Sequence, residues 1–390
     1  MSGDPVTDQV PEANNVAAEP AGEATDEATL TAVLASYESA GFDAQFAATD
    51  DGLVHCYSCG SNTAPVGVDP VALDGPHHIA VSRKLGAAFV ALSYPAPAVA
   101  PGPHAAHGSS QRPGRVQRLG LERLAPEADT EVETNPGDIV LSDDGTRLVV
   151  SHFDLQRAMH ETELEAQRAD LALLDPNDVQ AGARYVRTCV APHGVALSRP
   201  RGDVAFVACY GEDALAIVDT SAPDAAPELF SIGPGGKPGR PYYGPYAAVL
   251  SGDGQRLAVS DTESNDVRLF DVNARAFTDQ VVVTPGKPYF AAWSAGDERL
   301  YVPTQNPDAI LVVDPTSGAV EQTHAFTAGE CRLPHELLFG SDDHALLVVC
   351  EGDHETASVV LALDRSSFET LATFPVGVYP DRLAIARGVR

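Results

Sequence analysis

One pattern recurs along this 390-residue chain and limits what it can fold into. A Pro or its neighbour opens an alternating run, a polar turn follows, and a second apolar run comes next. The units read GPHHIAVSRKLGAAFVALS from Gly75, NPGDIVLSDDGTRLVVSHFD from Asn135 and APHGVALSRPRGDVAFVACYGEDALAIVDTS from Ala191. They continue with GPYAAVLSGDGQRLAVSDTESNDVRLFDV from Gly244, KPYFAAWSAGDERLYVPTQNPDAILVVDP from Lys287 and LPHELLFGSDDHALLVVCEGDHETASVVLALD from Leu333. A last, short unit, YPDRLAIARGVR, starts at Tyr379. Fixed self-similarity at forty-odd residues is the mark of an array whose units bury their faces against one another.

Each unit reads as antiparallel strands. IAVS, VALS and AVLS alternate at period two, and SDDGTR and SGDGQR are Asp-Gly hairpin turns. A second run (LVV, FVA, LAV) and a third ending in Asp (LAIVD, VRLFD, ILVVD, VVLALD) follow, then a more variable fourth. Four strands per unit predict an all-β, seven-bladed β-propeller of four-stranded antiparallel blades. The short last unit needs N-terminal strands to complete it, and residues 53–69 are expected to pair with residues 383–386, removing two open edges. FAATDDG from Phe46 offers an alternative first strand, which would make eight blades. Residues 1–28 are acidic and poor in bulky apolar side chains, so they read as a disordered tail. Residues 29–52 read as a short helix and lead-in, and residues 53–390 as the propeller, with loop insertions at 94–115 and 153–170.

The repeat resembles the YVTN-type propellers, with SDDGTRLVVS from Ser142 and SNDVRLFDV from Ser264 as its best matches. That resemblance covers residues 53–390 and implies a surface-layer or exported propeller. Related propellers include lactonases, haem d1 proteins and copper enzymes such as nitrous oxide reductase, so function must be argued from the site.

Residues just after each unit's Pro begin the innermost strand and are expected at the channel mouth: His77, Gly137, His193, Tyr246, Tyr289, His335 and Asp381. His78, Asp138, Glu336 and Arg382 sit beside them. The expected ligand site is therefore His77, His193, Tyr246, Tyr289, His335, Glu336, Asp381 and Arg382, on a His-rich top face. Imidazoles beside carboxylates suit a transition metal, and His77, His78, His104, His107, His152, His193, His335 and His354 are its candidate ligands. The simpler reading of the same histidines is that each hydrogen-bonds a neighbouring loop and caps the strand entrance. Tyr246 and Tyr289 read either as an aromatic ligand wall or as a plug. A lactonase-type reaction would need a carbonyl-polarising Arg or His and a base within reach of one ring ester.

Cys189 and Cys331 each lie three residues before a unit's Pro, and Cys209 and Cys350 each end the next second strand. The same two positions filled twice predict the disulfides Cys189–Cys209 and Cys331–Cys350, with Cys56 and Cys59 as the remaining pair. Disulfides place the chain in the periplasm, outside the cell or tethered at its surface; six reduced thiols in the cytoplasm are the alternative. A formal net charge of −30 argues against nucleic acid as a partner. The functional expectation is an exported binding or scaffold propeller, expected as a monomer, taking a small molecule, glycan or protein at its top face. The alternatives are a copper-like redox protein and a lactonase-type hydrolase.

Overall fold

The computed structural model describes residues 75–93, 108–121, 124–234, 236–340 and 343–386, with the backbone of strands Ala44–Thr49, Leu53–Tyr57 and Val71–Ala72. The strands form separate antiparallel sheets around one axis, the fold of a β-propeller. Six sheets each come from one continuous stretch: residues 76–134, 136–190, 192–231, 245–283, 287–325 and 334–378, called blades 1 to 6 in that order. A further, composite sheet joins the C-terminal strand Pro380–Ala386 to the three N-terminal strands.

The expected count of seven blades, or eight in the alternative, is corrected accordingly. Complete repeat blades number six, and the remaining sheet is assembled from the two ends of the chain. Pro380–Ala386 pairs with Ala44–Thr49, and Leu53–Tyr57 lies one strand further out. The Phe46 segment is therefore neither a lead-in nor the start of an eighth unit; it is the strand that closes the ring. Blade 5 also departs from four strands, because its inner strand is broken into Lys287–Pro288 and Ala292–Trp293.

Burial explains the sequence pattern. Second strands such as Ala87–Leu92 and Ala345–Cys350 are buried at every residue, since both faces meet neighbouring blades. They consequently read as continuous apolar runs. Outer strands such as Ala319–Ala325 are largely exposed and carry the polar residues. The DDG and GDG turns put Gly145 and Gly254 at φ 70° and 72°, a region costly for other residues. Asp219, Asp271, Asp314 and Asp364 each accept a backbone N–H two residues on, at 2.9 Å, which is a turn-forming role.

Cys189–Cys209 and Cys331–Cys350 are disulfide-bonded, as the repeated placement predicts. Residues 1–43, Cys56 as a side chain, Cys59 and residues 94–107 lie outside what is described. The insertion at 153–170 forms two short helices, Leu155–His160 and Leu164–Gln167. No helix among the described residues is long and apolar enough to cross a membrane.

Candidate functional site

Inner strands carry a register irregularity just after their opening Pro, between Pro76 and Ile79, Pro136 and Ile139, Pro192 and Val195, and Pro334 and Glu336. A bulge there re-aims the following side chain. The histidines use this to reach around the ring. His77 Nδ1 donates to the Pro136 carbonyl at 3.0 Å, His193 Nδ1 to the Tyr246 carbonyl at 3.1 Å and His335 Nδ1 to the Asp381 carbonyl at 2.6 Å. A carbonyl oxygen only accepts, so each Nδ1 carries a proton, and the neutral His193 ring keeps its lone pair on Nε2.

Two clusters result. Ligand atoms of His77, His78 and His193 lie within 4.8 Å of one another, as do those of His335, Glu351 and Asp381. Asp381 connects them: its Oδ2 is 2.6 Å from His77 Nε2 and 3.4 Å from His78 Nε2, and its Oδ1 is 3.1 Å from His335 Nδ1. His78 Nδ1 faces Asp138 Oδ1 at 3.0 Å. Such clusters of imidazole and carboxylate can bind a metal ion or a polar ligand.

Electrostatics follow from burial and neighbours. Burial, then the adjacent His78 and His77, holds His193 well below the usual imidazole range. Burial pushes Asp138 upward, but the Arg382 charge and the His78 hydrogen bond outweigh it and leave the carboxyl low. Glu336 goes the other way: burial raises it to about 7, against the opposing pull of Arg382.

The expectation of an open channel mouth at the top is corrected. His77, His193, Tyr246, Tyr289, His335, Glu336 and Asp381 are all 5% exposed or less. Phe153, at the start of the 153–170 insertion, sets its ring edge-on to His193 with centroids 4.8 Å apart. Ala158 of the first helix packs in the same cluster as Tyr246, Tyr289 and Phe290. The insertion thus closes the upper axis. Tyr246 stacks on His193 at 3.8 Å, so it serves as the plug rather than a ligand wall.

The lower axis is open. A cavity of about 230 Å³ is lined by Ile79, Ile139, Leu338 and Leu383, with Glu336 and Arg382 as its charged groups. Val81, Leu141 and Leu338 at its edge are partly exposed, so it reaches solvent. Arg382 Nε lies 3.0 Å from Glu336 Oε1, and Glu336 Oε2 accepts the Leu383 N–H at 2.7 Å. Charge and cavity meet at this pair.

Other candidates fall elsewhere. His152 donates to the Asp170 carbonyl at 2.6 Å beside Tyr185, within blade 2, and belongs to neither cluster. His354 is 2.8 Å from Glu351 and packs on Tyr379, one step behind the second cluster. His104 and His107 lie outside the described residues. Sequence reasoning missed Glu351, which is fully buried and receives a 2.7 Å hydrogen bond from Gln305. Its only signal was its position, directly after the second-strand Cys350.

No family model and no curated protein matches the chain, so nothing supports the YVTN-type assignment as such. Solved structures with the same fold include the periplasmic gluconolactonase of Pseudomonas aeruginosa, 19% identical with a TM-score of 0.62. That alignment covers 89% of this chain and 99% of the other. A putative 6-phosphogluconolactonase from Bacteroides uniformis is 13% identical, with a TM-score of 0.63 over 88% and 98% of the two chains. Virginiamycin B lyase from Staphylococcus aureus is 13% identical, with a TM-score of 0.55 over 80% and 92%. At these identities the likeness concerns the fold.

Proposed function

We propose that the chain is a lactonase-type hydrolase that opens small cyclic esters in the lower axial cavity. One observation carries the reading: Glu336 and Arg382, 3.0 Å apart, are the charged groups of a 230 Å³ cavity that reaches solvent. A carboxyl group raised to about 7 changes protonation near neutrality, as a general base must. Arg382 stays charged and supplies fixed positive charge where an oxyanion would form. The shared fold with two lactonase-named propellers adds support.

The chemistry balances with these two groups. Ionised Glu336 takes a proton from water as the water oxygen bonds to the ester carbonyl carbon, and the oxyanion faces Arg382. Collapse breaks the ring C–O bond, and Glu336 returns its proton to the leaving alkoxide. The product is the open hydroxy acid. A cavity that offers two charged groups among aliphatic side chains suits a compact ring carrying polar groups. A top-face binding or scaffold role has weaker support, because the 153–170 insertion covers that face of the axis.

The two disulfides favour an oxidising compartment for this enzyme. The test is hydrolysis of aldonic γ- and δ-lactones by the purified chain, followed as acid release. Turnover that falls ~100-fold or more in Arg382→Lys is expected. Absence of turnover on any lactone by folded wild-type protein would defeat the reading.

A further inference from the structure

We propose that His77, His78, His193 and Asp381 form a closed site for one divalent transition-metal ion of zinc type, which clasps the ring. The four side chains are 1%, 0%, 0% and 1% exposed. His193 uses Nδ1 on the Tyr246 carbonyl, so its Nε2 lone pair is left for another partner, while His77 Nε2 meets the Asp381 carboxylate at 2.6 Å. For His193, that Nε2 is fully buried and has no hydrogen-bond partner among the described residues. An imidazole nitrogen in that condition suits a ligand atom better than a packing atom.

Charge points the same way. Arg382 pairs with Glu336 and stands 3.8 Å from Asp138. Asp381 has only imidazoles, His77, His78 and His335, as ion-pairing partners among the described residues. Asp381 is 1% exposed, and a divalent ion among these imidazoles would complement its charge. Asp138 against His78 Nδ1 is the carboxylate that fixes a metal-bound imidazole in orientation. Three nitrogens and one oxygen favour zinc, copper or nickel over calcium or magnesium. Four protein ligands without solvent access make the site structural.

The ligands come from blade 1, blade 3 and the strand Pro380–Ala386 that begins the composite sheet. An ion here adds a tie between the C-terminal strand and blades 1 and 3. The ring of His78 and the Asp138 carboxylate separate it from Arg382, so the ion needs no contact with the cavity. The inference goes beyond the hydrolase reading: metal binding is measured without any lactone, and either can fail alone.

The experiment is titration of the chelator-stripped full chain with Co(II), read by visible absorption. Tetrahedral bands saturating at one equivalent and bleached by zinc are expected. Zinc at a hundredfold excess over its Kd should raise the melting temperature by on the order of 5 °C, while calcium leaves it unchanged. The folded His193→Gln variant should lose the saturating bands. No bands from wild type, equal stabilisation by calcium, or unchanged bands in folded His193→Gln would each overturn the site. If that variant does not fold, the wild-type titration decides.

Discussion

The guanidinium carbon of Arg382 stands 4.1 Å from the centroid of the Phe290 ring. The broken inner strand of blade 5 makes this contact possible. Phe290 leaves its own sheet and bridges in parallel to Glu336, donating to the His335 carbonyl and accepting from the Leu337 N–H, both at 3.0 Å. One backbone excursion therefore brings a ring face to Arg382 and pairs with the strand that carries Glu336. Arg382 is held on one side by a carboxylate and on the other by an aromatic quadrupole.

Replacing Phe290 by Leu keeps an apolar side chain of similar reach but removes that quadrupole. The interaction is worth about 1–2 kcal/mol when desolvated, so kcat/KM for lactone opening should fall roughly 5- to 30-fold. Circular dichroism should show an unchanged sheet signal. Full activity in Phe290→Leu would mean the ring does not position Arg382.

Glu336 also predicts how stability depends on pH. Its carboxyl titrates at about 7 in the native state, above the ordinary value of 4.5. A raised carboxyl pKa means that the folded protein binds the proton more tightly than the unfolded chain does. The contribution is fully present below about pH 4.5 and is lost as pH rises through about 7. Glu336→Gln stays neutral, so relative to wild type it should gain up to about 3 kcal/mol between acidic and alkaline pH. Urea midpoints of both proteins at the two extremes measure this. A constant difference between them would contradict the assigned shift.

Cys189–Cys209 and Cys331–Cys350 close loops of 20 and 19 residues. Loops of that length correspond to about 3 kcal/mol of stabilisation each. Alkylation of the unreduced, unfolded chain should leave these four cysteines unmodified by intact mass. Replacing either pair with Ala should lower the unfolding midpoint accordingly. Labelling of all four without reductant would remove the argument for an oxidising compartment.

The repeat made the fold legible because blade strands repeat one burial pattern, and the paired Cys positions followed from the same alignment. His77, His193, His335 and Asp381 were found as a set for the same reason: each follows a unit's opening Pro. Their role was harder to read. The sequence shows that the 153–170 insertion is near the axis, but it cannot show Phe153 folding over His193 and closing that end. Completion of the last sheet by N-terminal strands was legible, but the strand beside Pro380–Ala386 was misassigned, because Leu53–Tyr57 resembles a second strand while Ala44–Thr49 takes that place. Phe290 holds the same repeat position as His78, Asp138, Glu336 and Arg382, but an apolar ring there gave no sign of a site. The break in blade 5 and a buried strand end are what bring Phe290 and Glu351 into play.

The pH profile of kcat/KM for lactone hydrolysis, measured for wild type and Glu336→Gln, decides whether Glu336 is the base. Ionised Glu336 is the base, so wild-type kcat/KM should rise with pH, bend near the group's midpoint of about 7 and level off above it. Glu336→Gln should be ~100-fold or more slower and should lack the bend. A wild-type profile without that bend, or a Glu336→Gln variant with wild-type activity, would rule out Glu336 as the base.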